Sequence, residues 1–346
     1  MADPRLALIR DPRFREHSGP RGHPERPARL DAIDQALAPL AGRFLELEPR
    51  PADDEEILRV HDPLHLARLR AVEGRRAQLD PDTYTSARSL EIARLAAGST
   101  IELARRVARG EVSRGFALVR PPGHHAERNA PMGFCLLNQI ALAARALQED
   151  GVDRVCVLDF DVHHGNGTQH VFEGERDVLF VSLHQFPFYP GTGALEERGH
   201  GEGLGATVNL PLPAGAGDPE YLAVFDALVA PLLLEFRPEL LLVSAGFDAH
   251  ERDPLASMRV STAGFAGMAA RLRALADEVC GGRMVLSLEG GYDLEALGAS
   301  VHAVAEVLMA DQAPVGAPPK PGPLTNPLVE RLREGHAPLW RSVGGV

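Results

Sequence analysis

Cysteine is scarce: Cys135, Cys156 and Cys280 are the only three in 346 residues, and they form no CxxC. Such spacing excludes a disulfide framework and a thiolate metal site, and it points to a reducing, cytoplasmic setting. Basic charge is short as well. Lys and Arg number 36 against 48 Asp and Glu, a formal charge of -12, the opposite of the basic excess that marks a nucleic-acid binder. Long hydrophobic runs are missing too. The opening MADPRLALIRDPRFREHSGP holds four apolar residues between charges, too few for a signal-peptide core, and no run approaches the ~20 residues of a membrane helix. The expectation is a soluble, unsecreted chain with neither nucleic acid nor membrane as a partner. No internal repeat is visible.

With 45% of its residues hydrophobic, the chain is long enough for one large α/β domain with a full core. Short β-branched and Leu-rich runs recur at Gly115 to Arg120, Arg154 to Asp161, Val178 to His184, Glu239 to Asp248 and Met284 to Glu289. Each ends in a polar or glycine-rich stretch and reads as a buried parallel strand. Helical spacing appears between them. Asp218 and Pro219 form an N-cap and N1 pair ahead of Phe225, Leu228, Val229, Leu232 and Leu233; Ser261 or Thr262 opens a second helix carrying Phe265, Met268, Leu272, Leu275 and Val279. Alternation of strand and helix predicts an α/β fold, a single-domain open parallel sheet with helices on both faces. Residues 1–312 form the catalytic domain in this reading. A Pro-rich linker follows at 313–327, and a tail helix in 328–346, amphipathic from Leu328 to Trp340, docks on the domain.

Ligands of an open α/β sheet bind beyond the carboxyl ends of its strands, and the polar residues fall there. The first run leads into RPPGHHAE with His124 and His125, the second into DFDVHHGNG with Asp159, Asp161 and His163, the fourth into SAGFDAH with Asp248, the fifth into LEGGY with Tyr292. Asp161 and His163, two apart at a strand end, leave the chain on one side. With Asp248 they make three N and O ligands, the set a catalytic zinc site uses while keeping one position open.

Each feature has a bland reading when taken singly. A His-His pair after Pro-Pro-Gly can be a turn, Asp248 a helix cap, and Gly-Gly-Tyr a turn with a buried ring. Together these require four coincidences at one sheet edge, and buried carboxylates without Lys or Arg call for a cation.

The segments RPPGHHAERNAPMGFCLLN, VLDFDVHHGNGTQHVF, SLHQFPFYPGTG, SAGFDAHERDPLASM and LEGGYDLEALG resemble, in order, the motifs of the histone deacetylase superfamily in its class II and bacterial branch. With HPERPARLDAI they cover roughly residues 20 to 310. The resemblance implies an arginase/deacetylase-like fold and a hydrolase acting on the linear amide of an acylated amine such as acetyl-lysine. It implies one Zn2+ per chain on Asp161, His163 and Asp248. His125 then matches the general base, His124 its electrostatic neighbour oriented by Asp159, and Tyr292 the oxyanion donor. Asn166 stands behind His125 where class I members carry Asp, so His125 lacks an anionic partner there; Leu255 stands where they carry Met. Phe134, an aromatic of Phe186 to Tyr189, Tyr189 first among them, and Leu255 match the substrate tunnel, and Asp82 in LDPDTY a rim carboxylate. Ser182 and Leu183 match part of a structural K+ site.

His164 reads as structural, His184 and His250 sit near strand ends without a matched role, and Cys135 reads as core rather than nucleophile. An acetylpolyamine or another small acylated metabolite remains open as substrate, as does a homo-oligomeric state. A non-catalytic acyl-group binder would show a lost ligand or tyrosine, and a binuclear manganese ureohydrolase would need further Asp and His ligands.

Overall fold

The computed structural model describes residues 6–317 and 320–344. Residues 1–5, 318–319 and 345–346, which belong to the expected catalytic domain, linker and tail, lie outside the described residues. Ten strands run in chain order: β1 (Leu6–Ile9), β2 (Leu45–Glu46), β3 (Ala77–Gln78), β4 (Tyr84–Thr85), β5 (Arg114–Ala117), β6 (Val155–Asp159), β7 (Val178–Gln185), β8 (Thr207–Leu212), β9 (Leu240–Ala245) and β10 (Met284–Leu288). Eight form one parallel sheet in the order β2-β1-β5-β10-β9-β6-β7-β8, while β3 and β4 pair as a separate antiparallel hairpin. Its central strands are buried along their whole length, as parallel strands covered on both faces must be.

The helices are α1 (Ala28–Leu37), α2 (Asp54–Leu58), α3 (Pro63–Arg70), α4 (Ser89–Ala108), α5 (Gln139–Glu149), α6 (Asn166–Phe172), α7 (Asp218–Val224), α8 (Ala230–Phe236), α9 (Thr262–Cys280), α10 (Leu294–Met309) and α11 (Thr325–His336). Helices α4 and α5 pack together against β5, β6, β9 and β10, whereas α9 and α10 pack together on the sheet and α10 carries α1. This is the single-domain sheet expected from the alternation of elements.

Four of the five expected strands run past their observed ends, while β7 extends one residue beyond the expected His184. Arg120, Asp161, Asp248 and Glu289 all lie beyond the last paired residues, because the chain there leaves the ladder and its polar groups bond across strand ends instead. Five strands went unread, β1 to β4 for their brevity and β8 for Pro211; a proline is tolerated in β8 because that strand is the sheet edge.

Asp218 is not an N-cap. Gly217 holds that position, and the Asp218 carboxylate accepts from Ser261 N at 2.8 Å and Ser261 Oγ at 2.6 Å, tying the start of α7 to the start of α9. Ser261 does cap α9, accepting from Gly264 N. The tail helix starts at Thr325, three residues before Leu328, with Pro327 in its first turn where a missing N–H costs nothing. It lies along the β8 edge, where Arg331 donates to Pro211 O at 2.7 Å and His336 to Asn209 O at 2.9 Å; past the helix end, Trp340 donates to Gly205 O, just before β8, at 2.9 Å.

Candidate active site

The four strands whose ends carry the polar motifs are immediate neighbours, in the order β5, β10, β9, β6. Adjacency at the centre of the sheet is what brings His124, His125, Asp161, His163, Asp248 and Tyr292 together. His163 Nδ1 lies 3.1 Å from Asp161 Oδ1 and 3.2 Å from Asp248 Oδ2. One ligand atom from each of the three residues falls within 4.8 Å of the others.

Strand geometry does not put Asp161 and His163 on one side, since β6 ends at Asp159. Two successive side-chain turns do so: Asp161 N donates to Asp159 Oδ1 at 3.0 Å, and His163 N to Asp161 Oδ1 at 2.9 Å. Glycine makes the room. A Cβ on Gly290 would lie 2.0 Å from Asp248 Oδ2, and one on Gly246 2.0 Å from Asp161 Oδ2. Among the described residues no Lys or Arg pairs with either carboxylate; their partners are backbone N–H groups of Gly290, His163 and Val162 and the His163 ring. Burial would lower His163, but bonds to Asp161 and Asp248 outweigh it and raise it to about 10. The anionic charge of this nest thus draws in a proton, and a divalent cation fits the same donor set.

The two histidines of RPPGHHAE lie side by side, ring centroids 4.0 Å apart. His124 Nδ1 is 2.9 Å from Asp159 Oδ2; burial opposes its charge, but Asp159 and Asp161 prevail and lift it to about 10. His125 moves the other way, well below its ordinary value, through burial and then the charges of His124 and His163. Its Nδ1 lies 2.7 Å from Asn166 Oδ1. His125 thus has an amide and no anion as its direct partner, as expected, while the Asn166 amide continues to the Glu127 carboxylate, which places an anion one residue further back.

Tyr292 follows Gly291, whose φ of 118° only glycine adopts readily. Arg29 donates to Gly291 O at 2.7 Å and to Glu289 O, and its guanidinium stacks 5.1 Å from the Tyr292 ring. Asp253 accepts from Tyr292 N at 2.6 Å and from Leu255 N at 2.9 Å, bracing two walls at once. Burial, then Asp248 and Asp161, push the Tyr292 phenol well above its ordinary value, against the pull of Arg29. Further back, Arg120 binds Glu25 through Nε and, at 2.6 Å, through Nη2, and Arg29 reaches Glu25 at 3.3 Å. Sequence reasoning passed over Glu25, Arg29, Arg120, Glu127 and Asp253. Glu25 and Arg29 did carry a signal, opposite charges four apart in HPERPARL.

His124, His125, His163 and Tyr292 floor a cavity of about 210 Å3 walled by Gly133, Phe134, Phe188, Tyr189 and Leu255, with Asp82 also on its lining. It is smaller than the ~300–1,000 Å3 of ordinary small-molecule sites and suits one narrow chain. All three expected tunnel residues line it. Phe188, in the same Phe186 to Tyr189 stretch from which Tyr189 was preferred, joins them and stacks on His163 at 5.4 Å. The remaining histidines are occupied: His164 with Thr192 and Gln169, His184 with Ser182 and Gly193 O, His250 with Thr262. Cys135 is buried with its thiol pushed well up, first by burial and then by Glu289.

Fold and site define a class: parallel-sheet α/β proteins with a buried Asp–His–Asp centre beside a histidine pair and a phenol. The chain belongs to the histone deacetylase family, whose Histone deacetylase domain model matches residues 23–308. It is 42% identical over 297 residues to Histone deacetylase 15 of Arabidopsis thaliana, covering 84% of this chain and 53% of that protein. It is 41% identical over 286 residues to a probable deacetylase of Archaeoglobus fulgidus, covering 82% and 80%, and 40% identical over 338 residues to the human Polyamine deacetylase HDAC10, covering 92% and 50%. The chain thus spans about half of the plant and human relatives. The crystal structure of the HDA15 HD domain superposes with a TM-score of 0.91 at 39% identity, covering 99% of this chain and 97% of the other. Among the described residues no helix is long and apolar enough to cross a membrane.

Proposed function

We propose that this chain is a zinc-dependent amidohydrolase that removes an acyl group, acetyl first of all, from an acylated amine such as acetyl-lysine. The observation that carries this reading is the cluster of Asp161, His163 and Asp248, whose His163 lines one narrow cavity together with His125 and Tyr292. A divalent ion on the three ligands would supply Lewis acidity to the acyl carbonyl and to the attacking water. With Nδ1 engaged by Asn166, His125 keeps Nε2 free to take a proton from that water and return it to the leaving amine. His125, its charged form disfavoured by burial, is a neutral acceptor at neutral pH. His124, held by Asp159, stays charged and stabilises the anion that builds up. The Tyr292 phenol, kept protonated, donates to the developing oxyanion.

Phe134 and Tyr189 supply aromatic walls and Leu255 an apolar one for the methylene stem of a lysine side chain. Asp82 is the one carboxylate on the described lining, which favours a neutral acyl chain over a polycation that would gain from several. The test is purified protein against acyl-lysine peptides and acetylpolyamines, with and without a chelator. Chelator-sensitive release of carboxylate from a lysine peptide is expected. Inactivity of the metal-loaded protein on every acylated amine would overturn the proposal.

A further inference from the structure

The Asn166 amide presents an ambiguity that its own position does not resolve. An amide can turn its oxygen or its nitrogen toward a neighbour. With oxygen toward His125, the imidazole donates from Nδ1 and leaves Nε2 as the acceptor. With nitrogen toward His125, Nδ1 must accept, Nε2 carries the proton, and the base is disabled. A carboxylate in place of the amide would settle the matter by accepting only. This chain has the amide.

Glu127 resolves it from the far side. Its carboxylate accepts from Asn166 Nδ2, and since a carboxylate can only accept, the nitrogen faces Glu127 and Oδ1 faces His125. The other neighbour of Nδ2 is Met132 Sδ at 3.3 Å, a weak acceptor. Glu127 is itself tightly placed. Its N–H donates to Ala130 O at 2.9 Å, and its carbonyl oxygen is 2.9 Å from His61 Nδ1. His170 Nδ1 lies 2.8 and 2.9 Å from the two carboxylate oxygens. Asn166 and His170 are one turn apart on α6, so the carboxylate is clamped between two residues of a single helix face.

We propose that Glu127 is a positioning residue: it fixes the orientation of the Asn166 amide and thereby the Nδ1–H tautomer of His125, and it rests on the reading of His125 as the proton acceptor. The arrangement moves the anion one residue back from where a carboxylate at 166 would stand.

The test swaps the two groups. Glu127→Gln offers the amide either atom and frees it to turn. A loss of kcat of about tenfold or more is expected, with KM within about twofold, below the ~10⁴ that a wholly wrong tautomer costs. Asn166→Asp alone sets two carboxylates against each other and also loses activity. The double variant Glu127→Gln/Asn166→Asp restores a complementary chain, with His125 donating to Asp and Gln donating to the same Asp, and its kcat should exceed that of either single variant. A merely structural Glu127 cannot produce that rescue.

A second readout does not need turnover: two-bond proton–nitrogen spectra of the histidines, with the His125 signals identified by their loss in His125→Gln. The wild type and the double variant should show the Nδ1–H form alone, and Glu127→Gln a mixture. Wild-type tautomer and kcat in Glu127→Gln, or a double variant as poor as the product of the singles, overturns the role. If the wild type hydrolyses no acylated amine, the proposed function fails, while the tautomer spectra still decide this inference.

Discussion

Replacing Tyr292 by Phe separates a hydrolase from a protein that only binds acyl groups. The change removes one hydroxyl and no carbon, so the ring keeps its edge contact with Phe134 at 5.9 Å and its stacking on Arg29 at 5.1 Å. Among the described residues none hydrogen-bonds that hydroxyl, whereas the backbone N–H stays anchored on Asp253. Stability should therefore change by about 0.5 kcal/mol or less, as for substitutions that break no buried contact, which is roughly 2 °C in Tm. Catalysis should change far more. Burial and the Asp248 and Asp161 carboxylates keep the phenol protonated across the neutral range, so in the proposed reaction it is a donor aimed where negative charge develops. Loss of one such donor costs about 2.7–4 kcal/mol in the transition state, a 10²–10³-fold fall in kcat. Substrate binding should shift less than about tenfold, because the contact forms mainly in the transition state. The assay is kcat and KM on an acetyl-lysine peptide, with zinc content and Tm measured on the same preparations. A kcat within threefold of wild type in a folded, fully metallated variant would refute the oxyanion role.

Asp161→Ala, His163→Ala and Asp248→Ala should each abolish both zinc binding and activity, and Gly290→Ala should do the same because its Cβ would sit 2.0 Å from Asp248 Oδ2; metal analysis decides, and two tightly held manganese ions per site would contradict the assignment. Saturating zinc should raise Tm, since a ligand at about 1,000 Kd adds about 4 kcal/mol to the native state. Glu25→Gln breaks the buried pair with Arg120 and should cost about 3–5 kcal/mol. Burial would raise Glu25, but Arg120 holds it well below its ordinary value of 4.5. A depressed native pKa contributes stability that is present above 4.5 and lost as pH falls toward the native value. The Tm gap between wild type and Glu25→Gln should accordingly be widest near neutrality and narrow below pH 4.5; a gap independent of pH would exclude the charged pair as its source. Truncation after Gln312 strips two side-chain donors from the β8 edge and a third from Gly205 just before it, and the exposed strand should promote self-association. Size-exclusion chromatography showing a truncated chain as dispersed as the full one would count against that role for α11.

Much of this protein follows from local pattern. Buried parallel strands read as near-continuous apolar runs because both faces are covered, so Val155–Asp159, Leu240–Ala245 and Met284–Leu288 were legible as strands, and their polar ends as a site. Asp161, His163 and Asp248 stood out because carboxylates and imidazoles at strand ends are costly without a cation. Their convergence depended on strand order. That β10 and β9 lie between β5 and β6 is set by long-range packing and leaves no mark on any short window. Strand ends were misplaced for the same reason, since a residue's departure from the ladder depends on which partner waits across the sheet. Asp218 looked like a cap until Ser261, 43 residues away, proved to be its partner. Glu127, Asp253 and Arg29 read as ordinary charged residues in the sequence. Their work is to hold Asn166, the Tyr292 turn and the Leu255 wall, and hydrogen bonds between side chains and backbone far apart in the chain exist only once the tertiary structure has brought donor and acceptor within about 3 Å.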